Sequence, residues 1–458
     1  MNPNRSTLIR NGLLVCEEGA VRQNVLIKGE KIERMGPGIE KKADLVVDAD
    51  GLLVLPGAVD PHVHFNDEFM GTVSVHDYST GTLAAAYGGV TSVIDFSNQA
   101  PGASLMSTLE TKFREAEGKA LVDWGVHPVI TRHSPEVLDE IPRLMVRGAP
   151  TFKCYMTYRS EGLMMEEPEL RQILARLKDT NGMLMLHAED NDTIETRVPS
   201  LISEGNTRAI FHARSRPPET EDLAIRKAVH IAKETGGRVF VVHLASGTGL
   251  DIIKQARAQG TDILCETCTH YLIFTEAMLE RDDGIKWICS PPLRDESVQQ
   301  ALWSGLEQGH ISQVSSDDAA FSWEAKLLGR DRFDLCPNGI PGIEVRLPML
   351  YSEGVTKDRI SLSQWVSLVS TMPARLFGLF PQKGTIAPGS DADLVLFDPE
   401  ERWTMGLDTL HMAADWSAYE GIEVTGKVKQ VFSRGELIIH GGECLARKGR
   451  GRYLHRRL

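Results

Sequence analysis

An α/β fold, a (β/α)8 barrel with a small β-sandwich domain built from both chain ends, is predicted by three features of this 458-residue sequence. Eight strand-like apolar runs alternate with helix-like stretches through the middle of the chain. Short strands broken by Gly and Asp fill its beginning and return near its end. Histidines and an aspartate fall at the carboxyl ends of several middle runs, the face where TIM barrels keep their active sites.

Taken in order, TLIRNGLLVC, AVRQNVLIKG, KIERMG and DLVVDADG read as short strands with turn signals. The same texture recurs in GSDADLVLFDP and GKVKQVFSRGELIIHGGE. Residues 1–56 and 376–443 are therefore expected to form one sandwich around a barrel at 57–375, with a basic tail at 444–458. The strand-like runs of the barrel are Leu52–His64, Val90–Phe96, Val122–Ile130, Thr151–Met156, Met183–Glu189, Arg238–Ser246, Asp262–Leu272 and Ser312–Ala319. Helical patterns such as TLAAAYG, SLMSTLETKFREAEGKA, PELRQILARLKDT and ETEDLAIRKAVHIAKETGG lie between them. An open doubly wound sheet would alternate similarly, but no GxGxxG follows the first strand and no P-loop is present. The tail RKGRGRYLHRRL is expected to dock on an acidic neighbour, another subunit.

Hydrophobic residues at 42% and charged residues at 25% suit a globular enzyme. A formal net charge of -13 argues against nucleic acid and anionic membrane as partners. The amino terminus lacks the apolar core of a signal peptide, and no apolar run reaches about 18 residues. Seven scattered cysteines make a disulfide framework improbable, so a reducing, cytoplasmic location is expected. Cys265 and Cys268 form a CxxC, but a zinc ribbon needs a second pair, so both are read as ordinary strand cysteines.

The chemistry concentrates at the strand ends. In DPHVH, His62 and His64 are two residues apart, so strand alternation points both rings the same way. His187 ends MLMLHAED, His243 ends RVFVVHLAS, and Asp317 follows VSS. Imidazoles and a carboxylate on one rim are metal ligands in type. Lys153 in TFKCYM shares that rim. It reads as a Schiff-base nucleophile, an ion-pair partner, or a lysine carboxylated by carbon dioxide into an anionic bridge, and spacing does not choose.

GAVDPHVH, FKCYMTY, LHAE, VHLAS, SSDD and KGTIAPGSDADLVLFDP, in this order, resemble the cyclic amidohydrolases of the amidohydrolase superfamily across nearly the whole chain. The resemblance implies a centre of two divalent ions, usually Zn2+, held by His62, His64, N6-carboxylated Lys153, His187, His243 and Asp317. It implies hydrolysis by a metal-bridging hydroxide, with Asp317 moving the proton and Tyr158 donating to the developing oxyanion. It also implies a homotetramer or dimer.

Other segments narrow the ring. Just after HxH, where dihydroorotases carry an arginine for the substrate carboxylate, this chain continues HFND with Asn66 and Asp67, and an acidic residue there disfavours an acidic substrate. FHARSRPPETED, CSPPLR and CPNGIPGIE are similar to hydantoinases and dihydropyrimidinases. That likeness implies that Ser290 and Asn338 bind the imide edge of a cyclic ureide, largely through backbone groups. The implied products are N-carbamoyl amino acids. Phe65, Phe69 and Tyr155 are either a wall for the exocyclic substituent or core. Asp318 departs from the histidine usual after the metal aspartate, and His270 in ETCTHYL echoes allantoinases. Allantoinase and a non-catalytic dihydropyrimidinase-like scaffold are the alternatives, though the chain keeps all six ligands.

Overall fold

The computed structural model describes residues 5–39 and 42–458. Residues 1–4, at the start of the first predicted sandwich segment, and residues 40 and 41 lie outside the described residues.

Eight parallel strands run in sequence order around a barrel: β1 (Ala58–Val63), β2 (Val90–Asn98), β3 (Asp123–Val129), β4 (Thr151–Tyr155), β5 (Met183–His187), β6 (Arg238–Val241), β7 (Ile263–Cys268) and β8 (Gln313–Ser315). The ring closes just past β8. His64 N–H donates to Asp318 O at 2.9 Å, and Asp318 N–H donates to His62 O at 3.3 Å. Deeper in the same seam the buried Arg346 guanidinium donates to Val59 O and Val314 O, tying β1 to β8. Helices such as Leu105–Ala116, Pro135–Val146, Glu167–Asp179 and Pro218–Thr235 pack outside. Ser104, Ser134 and Ser246 start helices by accepting a backbone N–H three residues on.

The predicted run Leu52–His64 is two strands, not one. Leu53–Pro56 belongs to a seven-stranded sheet, where it pairs antiparallel with Leu394–Thr404 and parallel with Leu13–Cys16. The chain crosses into β1 at Gly57, where a Cβ would meet the Thr91 side chain at 2.2 Å. A second, four-stranded sheet orders Lys31–Gly36, Asn24–Lys28, Ser6–Arg10 and Leu45–Asp48. Ile9, Leu14, Val25 and Ile27 from the beginning of the chain share one core with Leu394, Leu396 and Phe432 from its end. The barrel interior has a separate core that includes Val59, Phe96, Met185 and Phe240. Phe377, Leu379 and Leu454 join this core.

Leu454 belongs to the basic tail, and here the expectation of docking on another subunit is corrected. Trp124 N–H donates to Arg452 O and Leu454 N–H to Trp124 O, so the tail runs along the start of β3. Arg456 is fully buried, donating to Thr151 Oγ1 at 2.9 Å and to Val126 O. Arg450 and Arg452 meet Glu436 and Glu30 of this same chain. The acidic neighbour is the chain's own sandwich and barrel floor.

Candidate metal centre

Side chains from five strands converge at the carboxyl end of the barrel. His62 lies in β1 and His64 just beyond it, and alternation turns both rings into the mouth. Asp317, two residues past β8, places Oδ1 at 3.0 Å from His62 Nε2 and 3.3 Å from His64 Nε2. Lys153 Nζ, from β4, is 3.3 Å from His62 Nε2. His243, two residues past β6, has its ring centroid 4.5 Å from that of His187 and 5.5 Å from that of His62. Ligand atoms of His62, His243 and Asp317 all lie within 4.8 Å of one another.

Three of the four imidazoles are held from behind by a carboxylate. His62 Nδ1 meets Glu266 Oε1 at 2.6 Å, His64 Nδ1 meets Asp67 Oδ2 at 2.9 Å, and His187 Nε2 meets Glu189 Oε2 at 2.7 Å. Each such N–H donated to a carboxylate fixes the ring and turns the other nitrogen to the centre as an acceptor, as metal-ligating histidines require. The carboxylates are themselves anchored: Glu266 accepts from Gln313 Nε2, Asp67 from Asn98 Nδ2 and Glu189 from Arg216 Nη1.

Charge and backbone agree with that arrangement. Burial depresses His187, and depresses His243 strongly, so both rings are neutral donors. Burial would raise Asp317, but His62 and His64 outweigh it and hold the carboxyl well below its ordinary value. Burial pulls the Lys153 ammonium down to about 8, against the opposing field of Asp317 and Glu266. His243 and Asp317 take φ of 39° and 48°. L side chains rarely adopt this left-handed region, and such strain concentrates at functional sites. Aimed nitrogens, a shared anionic oxygen and a depressed lysine make a donor set that fits divalent cations.

A cavity beside these residues is lined by Phe69, Tyr155, Tyr158, Ser290 and Asn338. Tyr158, with φ of 65°, accepts a hydrogen bond from Asn338 Nδ2 at 3.2 Å. Ser290 Oγ is 3.2 Å from His212 Nε2. Phe65, offered as a possible wall residue, is not in the wall. His64 faces the mouth, so Phe65 turns the other way, packing edge-on against Tyr78 with no exposed surface.

Asp318 is buried in the seam, accepting from Gly342 and Ile343 N–H at 2.8 and 3.2 Å and lying 2.6 Å from His76 Nδ1. Asp67, read from sequence only as a repulsive charge, orients His64. Glu189 and Glu266 escaped the sequence reading altogether. Glu189 stands two residues after His187, a spacing that could have exposed it. Glu266 lies 204 residues from His62, and no local pattern links them. Cys265 and Cys268 sit three apart on β7, an odd offset that sends them to opposite faces and excludes a paired CxxC site.

The amidohydrolase family model matches residues 53–438, and the chain belongs to this family. Within it, the D-hydantoinase of Geobacillus stearothermophilus is 38% identical over 453 residues, covering 98% of this chain and 96% of that protein. The D-phenylhydantoinase of Escherichia coli is 39% identical, with 98% of both chains covered. Among solved structures, the dihydropyrimidinase from Brevibacillus agri NCHU1002 superposes with a TM-score of 0.97 at 40% identity, covering 98% of each chain.

Proposed function

We propose that this protein hydrolyses the cyclic amide bond of hydantoins and dihydropyrimidines, releasing N-carbamoyl amino acids. The observation that carries the reading is the set of four histidines, Lys153 and Asp317 on one rim, three of the histidines oriented by carboxylates. Full-length similarity to enzymes named D-hydantoinase and dihydropyrimidinase supports these rings over allantoin, despite His270. A complete ligand set also favours an enzyme over a non-catalytic scaffold.

We assign His62, His64, Lys153, His187, His243 and Asp317 as ligands of two divalent ions, Zn2+ by preference, with Lys153 carboxylated on Nζ. A lysine depressed to about 8 keeps part of its amine neutral near neutral pH. That amine adds to carbon dioxide, forming the N–C bond and releasing one proton to solvent. When bound, the two cations activate a water and polarise the amide carbonyl. Asp317 accepts the proton of the attacking water and delivers it to the leaving ring nitrogen. The Tyr158 hydroxyl donates to the oxyanion as the carbonyl turns tetrahedral, a contribution of about 3 kcal/mol. Ser290 and Asn338, on the wall shared with Tyr158, hold the alternating C=O and N–H of the ureide edge. Phe69 and Tyr155 face the substituent.

All seven cysteines are free, which supports a reducing compartment, and we place the protein in the cytoplasm. Among the described residues, no helix is long and apolar enough to cross a membrane. A homodimer or homotetramer is proposed from the family resemblance alone. Ring opening by metal-loaded protein tests the activity. Hydantoin, dihydrouracil and a 5-aryl hydantoin are expected to be cleaved, and allantoin and dihydroorotate to survive. Cleavage of allantoin alone, or of none of the five, would overturn the assignment.

A further inference from the structure

Cys268 closes β7 and shares the inward face with Glu266, the carboxylate that holds His62. Two residues on, His270 is 1% exposed, and neither of its ring nitrogens has a hydrogen-bond partner among the described residues. Buried imidazole nitrogens without partners are unfavourable. The Cys268 thiol has only Ser315 Oγ, at 3.4 Å. Ligand atoms of Cys268, His270 and Asp317 lie within 4.8 Å of one another. Three donors at that separation can close around an ion with bonds of about 2.0–2.3 Å.

We infer that Cys268, His270 and Asp317 form a further cation site, for a thiophilic divalent ion such as Cd2+ or excess Zn2+, whose filling inhibits the enzyme. The site differs from the catalytic one by its sulfur donor, which selects soft and borderline ions over hard ones. On binding, the Cys268 S–H proton goes to solvent and an Sγ–metal bond forms. His270 contributes a neutral nitrogen, and the thiolate with the Asp317 carboxylate balances the double charge. Asp317 is common to both sites. An ion held by Cys268 and His270 therefore draws that carboxylate from His62 and His64, which it meets at 3.0 and 3.3 Å. The inhibitory half rests on the role proposed above for Asp317, whereas occupancy of the site does not.

The test titrates the zinc-loaded holoenzyme with Cd2+, reading the ultraviolet thiolate-to-cadmium band and the ring-opening rate together. The catalytic ligands include no sulfur, so cadmium exchanged there contributes no such band. Wild type is expected to gain the band and lose turnover in step. Cys268→Ser should lack the band and keep its turnover at the same Cd2+ concentration. His270→Gln should need about tenfold more Cd2+ for both effects. Band and inhibition persisting unchanged in Cys268→Ser would overturn the site, as would their loss only in Cys289→Ser, a cysteine among the residues that line the catalytic cavity. A band in wild type with undiminished turnover would overturn the inhibition. Because the band needs no catalysis, it stays readable even if the proposed activity fails.

Discussion

Glu266 and His62 show what separates a legible residue from a hidden one. His62 and His64 could be read because a two-residue spacing on a strand dictates a common face. His187, His243 and Asp317 could be read because each follows an apolar run. Glu266 reaches His62 only after the barrel has brought β7 beside β8 and β8 beside β1. Removing its charge while keeping its shape should loosen the centre without unfolding the chain. Glu266→Gln is expected to weaken metal affinity about 10–100-fold, since outer carboxylates of ligating histidines carry effects of that size. Competition with a chelator measures this, and unchanged affinity would mean that Glu266 does not orient His62. Phe65 was undecidable between wall and core from sequence, because both environments favour an aromatic ring.

Elements were legible in number and order, less so in extent. All eight barrel strands fall inside the runs read from sequence or within two residues of them. Hydrophobic periodicity marks a strand but not the sheet it joins. Leu52–His64 therefore looked continuous, although the contact of Gly57 with Thr91 marks a crossing from sandwich to barrel. Conversely, β6 and β8 end before the runs read from sequence do, and His243 and Asp317, just past their ends, take left-handed conformations on the way to the centre. The pairing of Leu53–Pro56 with Leu394–Thr404 brings together two strands of similar texture from opposite ends of the chain. Shared texture suggested one sandwich, but it could not supply the register.

At the scale of the whole molecule, the tail and the sandwich meet the barrel at one carboxylate. Asp123, at the start of β3, is 2.7 Å from Lys383 Nζ, pairs with the Arg434 guanidinium, and accepts from Arg452 N–H at 2.9 Å. All three donors come from the last third of the chain, and Lys383 and Arg434 are buried. A net charge of -13 says nothing of so specific a junction, which is why the tail was legible as basic but not as internal. Asp123→Ala leaves Arg434 without this partner, while Lys383 keeps Asp391 and Asp393 at 3.0 and 2.7 Å. Removing one partner of a buried ion pair destabilises by about 3–5 kcal/mol, and we expect the lower end here. Chemical denaturation measures it, and a loss below about 1 kcal/mol, the range of surface pairs, would contradict a clamp at Asp123.

The proposed carboxylation of Lys153 would distinguish a binuclear centre from a mere cluster of histidines, and metal content together with uptake of carbon-13 from labelled bicarbonate tests it directly. Wild type is expected to hold two divalent ions per chain and one labelled carbamate carbon. At a fixed concentration of dissolved carbon dioxide, label should enter metal-free protein faster as pH rises towards about 8, where the neutral amine grows. Lys153→Ala should bind fewer than two ions, take up no label and open no ring. Two ions and full turnover in Lys153→Ala would contradict the bridging role of Lys153.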